Sequence, residues 1–438
     1  TTEIYTLSLH DAFPIYELGF NTMCIHGSYL PKSGEPQVMP MVQSTTYRYY
    51  DNDEVAALFD LESSGSFYSR LGNPTVDNLE AHIALLEGGT GAICTSSGQA
   101  ANLICMLNIA KAGDHIISSN SIYGGTFNLF SVTLKKMGID VEFVDQDLEL
   151  EELKKYVKPN TKAVFAETLA NPKLSVLDIE KFKKLSEFAG VLLIVDNTLA
   201  TPALLNPIEY GADIVTHSTT KYIDGHGNCV GGCVVEAGTF DYSSGKYPEF
   251  IEPDDSYHGI VFYEKFGDKA FTAKLRAQML RDLGTTMSPM NAFLTDNGLK
   301  TLALRMERHS QNALELAKFL NNHDKVSYVT YPGLSGDKYY ELSKKYMKKG
   351  QSGVLSFGIK GGYDAGVKLI KNLKLTSLVV HVGDINTSTL HPASSTHRQL
   401  SEDELKAAGI GFELIRVSVG LCDIEDIIED FENAFKCI

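Results

Sequence analysis

Along the middle of the chain, two spacings of apolar residues take turns. Short runs of Val, Ile, Leu, Phe and Ala are separated by longer stretches in which apolar positions recur every three or four residues. The runs at 92–95, 115–119, 141–144, 163–167, 191–196 and 214–217 predict strands, and the stretches at 99–111, 127–137, 148–156 and 179–188 predict helices. Strands that alternate with helices predict a mostly parallel sheet covered on both faces, an α/β fold. In such folds ligands gather in the crevice at the carboxyl ends of the strands.

The flanks read differently. Residues 20–70 are rich in turn formers, with Pro31, Gly34, Pro36 and Pro40, and hold one short helical candidate at 53–61. A segment this long and irregular is expected to reach out and pack against something, a second subunit being one candidate. Beyond Pro289 a helical pattern at 291–320 leads into mixed elements at 326–330, 354–359, 365–373, 377–381 and 414–419, with a last helix from Ile424. The expected organisation is therefore a leader and arm over 1–74, a large sheet domain over 75–290 and a smaller C-terminal domain over 291–438. Residues 1–15 have no clear period and read as a foreign leader.

Composition narrows the partners. A length of 438 residues exceeds what one core holds, and 43% hydrophobic residues supply enough apolar surface for two. The formal charge of −16 argues against nucleic acid or an anionic membrane, so any bound anion needs a local site. Seven cysteines form no disulfide framework and suggest a reducing, cytosolic setting. Cys229 and Cys233, if on one strand, would lie about 13 Å apart, which leaves core packing as their reading. No run reaches the length of a membrane helix. His391 and His397 are too isolated to argue for a metal.

Several polar residues fall at the predicted strand ends. Lys221 follows Ser218, Thr219 and Thr220 at the end of an apolar run. An amine partly shielded from water there gives up its proton more easily and can attack a carbonyl, although such a lysine is more often a solvated turn residue. Ser97-Gly98-Gln99 runs from a strand straight into a helix, where Gly98 admits close approach and the free N–H groups at Gln99 form an anion site. Neither dinucleotide nor triphosphate glycine patterns are present. Tyr123, before two glycines, can stack on a flat ring or be a plain turn residue. Asp196 ends five consecutive apolar residues and needs a partner to stay charged: a helix cap, a metal or a protonated heteroaromatic nitrogen. Glu167, Asn171 and Pro172 close the preceding strand. Tyr68 and Arg70 can grip a phosphate or form an exposed turn. Together, a lysine for a Schiff base, an aspartate for a pyridinium, a stacking ring and a phosphate cup are the parts that pyridoxal phosphate requires.

The same residues carry a family resemblance. Tyr68-Ser69-Arg70, Ser97-Gly98, Tyr123-Gly124, Glu167 with Asn171-Pro172, Asp196-Asn197-Thr198, Ser218-Thr219-Thr220-Lys221, His391-Pro392-Ala393-Ser394 and Leu414-Ile415-Arg416 resemble the pyridoxal-phosphate enzymes of Cys/Met metabolism, from Gly19 to the C-terminus. The resemblance implies a fold-type I transferase in which Lys221 forms the Schiff base, Asp196 holds the pyridinium and Tyr123 stacks on it. Gly98, Gln99, Ser218 and Thr220 would hold the phosphate, with Tyr68 and Arg70 arriving from a neighbouring subunit of a homo-oligomer, a tetramer built of dimers. Arg416, with Asn171, would bind the substrate α-carboxylate. Read from residues alone, Arg416 is the solvated side of a half-buried strand whose other face carries Ile415, Val417 and Val419.

Three features bear on the branch. Gly125 stands where methionine γ-lyases resemble one another in having cysteine. Residues 249–289, with Tyr257-His258-Gly259 and 280–284, resemble an insertion of the O-acetylhomoserine sulfhydrylases. His381 stands where the lyases and synthases carry a serine that supports the lysine-side chemistry, which places it, with Glu167, among the substrate-side candidates. The resemblance thus implies γ-replacement on O-acetylhomoserine by sulfide or a thiol, in homocysteine and methionine biosynthesis. Methionine γ-lyase, cystathionine γ-synthase and a non-catalytic scaffold of the same fold are the alternatives.

Overall fold

The computed structural model describes residues 18–396, 398 and 411–438. The leader at 1–15 and His397 lie outside the described residues. Two sheets organise the chain. The larger has seven strands in the order β1-β7-β6-β5-β4-β2-β3: β1 (Gly91–Thr95), β2 (His115–Ser119), β3 (Asp140–Val144), β4 (Thr161–Glu167), β5 (Leu192–Asp196), β6 (Ile214–His217) and β7 (Gly232–Glu236). The smaller is antiparallel, in the order β10-β11-β9-β8, with β8 (Val326–Thr330), β9 (Val354–Ile359), β10 (Ser388–Leu390) and β11 (Leu414–Ser418).

All six strands expected in the central region are present. The pairs β2–β3, β2–β4, β4–β5 and β5–β6 are parallel, as covered apolar runs require. Leu192, Leu193, Ile194 and Val195 are fully buried, each side chain stabilising the sheet by about 1.5–3 kcal/mol. β7 was not expected. It pairs antiparallel with both β1 and β6, so it reverses direction while β1 and β6 point the same way. The carboxyl ends of β1 to β6 therefore open on one edge, and the first residues of β7 lie among them.

Other expectations are corrected in detail. The helical pattern at 291–320 breaks at Lys300 and Thr301 into helices Pro289–Leu299 and Leu302–Asn321. Leu302 and Met306 join the core of the large sheet, whereas Ala313, Leu316, Ala317 and Leu320 join that of the small one. Residues 148–156 form only a four-residue helix, Leu150–Leu153, and a tight turn. Residues 377–381 form no regular element: a single bridge joins Ser377 to Ser388, and the strand of this region is β10. Cys229 and Cys233 do not share a strand. Cys233 sits in β7 opposite Cys94, while Cys229 contacts Asp224 and Thr295. Both are buried and free, in keeping with core packing.

The irregular arm and the 249–289 segment are both tied to the sheet. Asn73 caps the helix Pro74–Glu87 by accepting from the Thr75 N–H at 3.0 Å. Its amide then donates to the Val42 carbonyl, the Tyr47 hydroxyl and the Ser69 hydroxyl, gathering the arm at one point. Glu236 of β7 accepts from the N–H groups of Phe271 and Thr272, anchoring the 249–289 segment. The far end of that segment bonds the edge of β1, Ser96 N–H donating to the Thr285 carbonyl.

Candidate active site

The edge where six strands end is lined by residues singled out in the sequence. β1 turns at Ser97 into the helix Gly98–Leu107, and the Ser97 hydroxyl accepts from the Ala100 N–H. The N–H groups of Gly98 and Gln99 are left pointing out of the first turn, a seat for an anion. Ser218 lies against this turn: a β-carbon added at Gly98 would fall 2.7 Å from that of Ser218. Thr220 is committed to the backbone of Gly231, donating to its carbonyl at 3.1 Å and accepting from its N–H at 3.0 Å. The Gln99 amide donates to Thr126 at 3.3 Å, linking the cup to the short helix that Tyr123 precedes.

Asp196 occupies the last position of β5. One carboxylate oxygen accepts from both the N–H and the hydroxyl of Thr198, at 3.0 and 2.5 Å, and the other from Asn102 at 3.4 Å. The Thr198 hydroxyl in turn accepts from the Ser218 N–H at 2.8 Å. A continuous chain of hydrogen bonds thus joins the carboxylate to the start of the Ser218–Lys221 turn. Neither Thr198 nor Asn102 was assigned a role from sequence, although a hydroxyl two residues after an aspartate is a readable turn signal. Glu167, at the end of β4, accepts from the Tyr123 N–H at 2.6 Å. Burial, and then the neighbouring Asp196, hold its carboxyl well above the usual range. In this structure Glu167 supports Tyr123, whose ring is half exposed over the edge. A β-carbon at position 125 would lie 2.4 Å from that ring, so Gly125 leaves room for it.

Lys221 faces residues from the second sheet. Its amine lies 3.2 Å from His381 Nδ1, and burial, aided by the charge of Arg416, brings its pKa down to about 8. The His381 imidazole is held below its ordinary value by burial and by Lys221. The loop carrying it is pinned: its carbonyl accepts from Arg416 at 3.1 Å and Ser388 at 3.2 Å, and Gly383 N–H donates to Ser418 at 2.9 Å. Gly383, at φ +80°, packs on the backbone of Lys221.

Arg416 lies in β11 opposite Ser356 and Leu390 and is only 9% exposed, so the solvated-strand reading fails. Burial lowers its pKa to about 10, and among the described residues no carboxylate pairs with it. Its Nε has no partner, and neither do Asn171 Oδ1 and His381 Nε2. Asn171 is brought close by Pro172, whose carbonyl accepts from Ser356. Tyr68 and Arg70 stand apart from this cluster. Both are exposed, the guanidinium lies over the tyrosine ring at 5.1 Å, and the Arg70 carbonyl accepts from Thr286.

The family model for Cys/Met metabolism PLP-dependent enzymes matches residues 21–436. The chain belongs to this family. It is 46% identical over 427 residues to the O-acetyl-L-homoserine sulfhydrylase of Leptospira meyeri, covering 95% of this chain and 96% of that protein. To the homocysteine synthase of Schizosaccharomyces pombe it is 45% identical over 427 residues, covering 97% and 99%. The crystal structure of a protein named O-acetylhomoserine (thiol)-lyase, from Campylobacter jejuni, superposes with a TM-score of 0.92 at 40% identity, covering 96% of this chain and all of that one; it contains a pyridoxyl-lysine phosphate. Pyridoxal phosphate is the cofactor of this Cys/Met-metabolism family. The edge fits it: an anion seat at Gly98 and Gln99, a carboxylate at Asp196 and a low-pKa amine at Lys221 are the donor set it needs.

Proposed function

We propose that this protein catalyses γ-replacement: O-acetyl-L-homoserine and sulfide, or a thiol, give L-homocysteine, or methionine, and acetate. The observation that carries the substrate side is Arg416, a buried guanidinium two contacts from Lys221 with no carboxylate beside it among the described residues. A buried cation without an anion is costly, and an amino-acid α-carboxylate supplies the partner. The relatives' activities, O-acetyl-L-homoserine sulfhydrylase and homocysteine synthase, support the choice of leaving group and nucleophile. The room left at Gly125 for the Tyr123 ring favours this branch over the γ-lyases.

Pyridoxal phosphate, when bound, supplies an electron sink that lets bonds at the substrate α-carbon and γ-carbon break. The chain's own groups do the rest. Gly98, Gln99 and Ser218 would hold the phosphate; the Thr220 hydroxyl, expected there too, instead spends its proton on the Gly231 carbonyl and fixes the turn. Tyr68 and Arg70 of a neighbouring subunit would complete the cup. Asp196 balances the charge of the ring nitrogen. Arg416 and Asn171 fix the α-carboxylate, which sets the Cα–H bond before Lys221. With a pKa near 8, Lys221 is neutral in an appreciable fraction at neutral pH, so it can take that proton and later return one. His381 orients the lysine amine. Acetate departs from Cγ with the bonding electron pair, and sulfide forms the new C–S bond there. The setting is a reducing cytosol, consistent with seven free cysteines.

The test is direct. Purified protein incubated with O-acetylhomoserine and sulfide is expected to release homocysteine and acetate in equal amounts. Production of a keto acid and ammonia from methionine, with O-acetylhomoserine untouched, would place the protein among the lyases instead.

A further inference from the structure

Beneath the cofactor edge lies a fully buried polar cluster that neither the sequence motifs nor the mechanism accounts for. Glu87, the last residue of the helix Pro74–Glu87, is completely enclosed, as are Asn197 and His217. One oxygen of the Glu87 carboxylate accepts from the Asn197 amide at 2.9 Å and lies 2.6 Å from His217 Nε2. Asn197 immediately follows Asp196, and His217 immediately precedes Ser218. A single carboxylate therefore grips the two adjacent strands at the residues next to the pyridinium partner and the phosphate-lysine turn. Asn197 is fixed a second time through its amide to the Leu205 carbonyl at 2.8 Å. Placing a carboxylate where no water reaches is costly, and here its bonds go to the two strand ends.

We propose that Glu87 is a positioning residue of this active site. Through Asn197 and His217 it sets the spacing between the ends of β5 and β6, and with it the separation of Asp196 from Ser218 and Lys221. The inference rests on the cofactor reading above. The helix that carries Glu87 begins at Asn73, the residue that gathers the arm bearing Tyr68 and Arg70. One rigid element thus spans from the strand ends to the segment offered to the neighbouring subunit.

The experiment compares wild type, Glu87→Ala, Glu87→Gln, Asn197→Ala and His217→Gln as purified full-length proteins. Two quantities are read: cofactor dissociation constant by absorbance titration of the resolved protein, and melting temperature with and without pyridoxal phosphate. Glu87→Ala is expected to weaken cofactor binding roughly tenfold or more, shift the visible band and narrow the melting gap between loaded and empty protein. Glu87→Gln, which keeps an acceptor in place, is expected to restore most of the affinity. A purely structural role would lower both melting temperatures together and leave the gap and the band unchanged; that result overturns the proposal. If Glu87→Ala is not recovered folded, Asn197→Ala and His217→Gln decide: unchanged affinity in both overturns it, and weakened affinity in both upholds it. Failure of wild type itself to bind pyridoxal phosphate would instead refute the cofactor reading.

Discussion

The cofactor side and the substrate side of this site are built in opposite ways. Asp196 has partners on both oxygens, all supplied by the large sheet and its helices, and a hydrogen-bond chain through Thr198 ties it to Ser218. Arg416, Asn171 and His381 each keep a buried polar atom with no partner. Buried polar atoms are rarely left so, and a cluster of them at one crevice marks where a ligand supplies the missing bonds. The contrast separates a carboxylate already held by its own chain from a substrate pocket completed only by what enters it.

Substitutions should therefore fail in two distinguishable ways. The largest effect is expected at the residue shared by both sides. Lys221→Ala should lower kcat by about 10³-fold or more and leave no lysine to trap with borohydride, as read by mass spectrometry of the peptide containing position 221. Retained labelling of another lysine with full activity would break the assignment. Arg416→Leu comes next: loss of a charge-assisted pair should lower kcat/KM by about 10- to 150-fold while the bound cofactor keeps its colour. Removing that positive charge should also raise the Lys221 pKa, because Arg416 now lowers it. The arm sharpens the comparison by adding a third contributor. Mixing Lys221→Ala with Arg70→Ala chains should restore about a quarter of wild-type activity, since half the sites in mixed dimers regain both groups. No restoration would mean that Arg70 serves its own chain.

Smaller effects lie on the cofactor side. Thr198→Val removes the hydroxyl between Asp196 and Ser218 and should weaken cofactor affinity about fivefold, with KM for substrate little changed. The rate at which empty protein takes up pyridoxal phosphate should rise with pH and level off near pH 8, because the amine reacts only when neutral and its pKa is about 8. Levelling near the ordinary lysine value of 10.5 would show that burial does not tune this amine.

Legibility in the sequence follows the same divide. The strands β4 and β5 carry buried apolar runs because helices cover both faces, and each run ends on a carboxylate at the crevice, so this part of the cofactor set could be read directly. β7 was hidden by the glycine pair Gly231-Gly232 at its start and by an antiparallel course that no βαβ pattern announces. Residues 377–381 misled in the other direction. Leu378 and Val380 are 59% and 70% exposed, so their apolar character reflects neither core packing nor a strand. The partnership of Glu87 with Asn197 and His217 joins positions 110 and 130 residues apart, beyond any local signal. Arg416 could be placed on a strand from its neighbours, but its burial depends on the second sheet closing over the first.

The close packing at the phosphate turn has a consequence for variation. A β-carbon at Gly98 would strike Ser218, and one at Gly232 would come within 2.2 Å of the Ser97 carbonyl. A glycine that opens a helix and one that opens a strand thus interlock around the cup, with no space into which a new side chain could grow. Selection, natural or in the laboratory, cannot tune this cup one residue at a time. New specificities must be sought at the Arg416, Asn171 and His381 wall, where side chains line the space and the backbone does not.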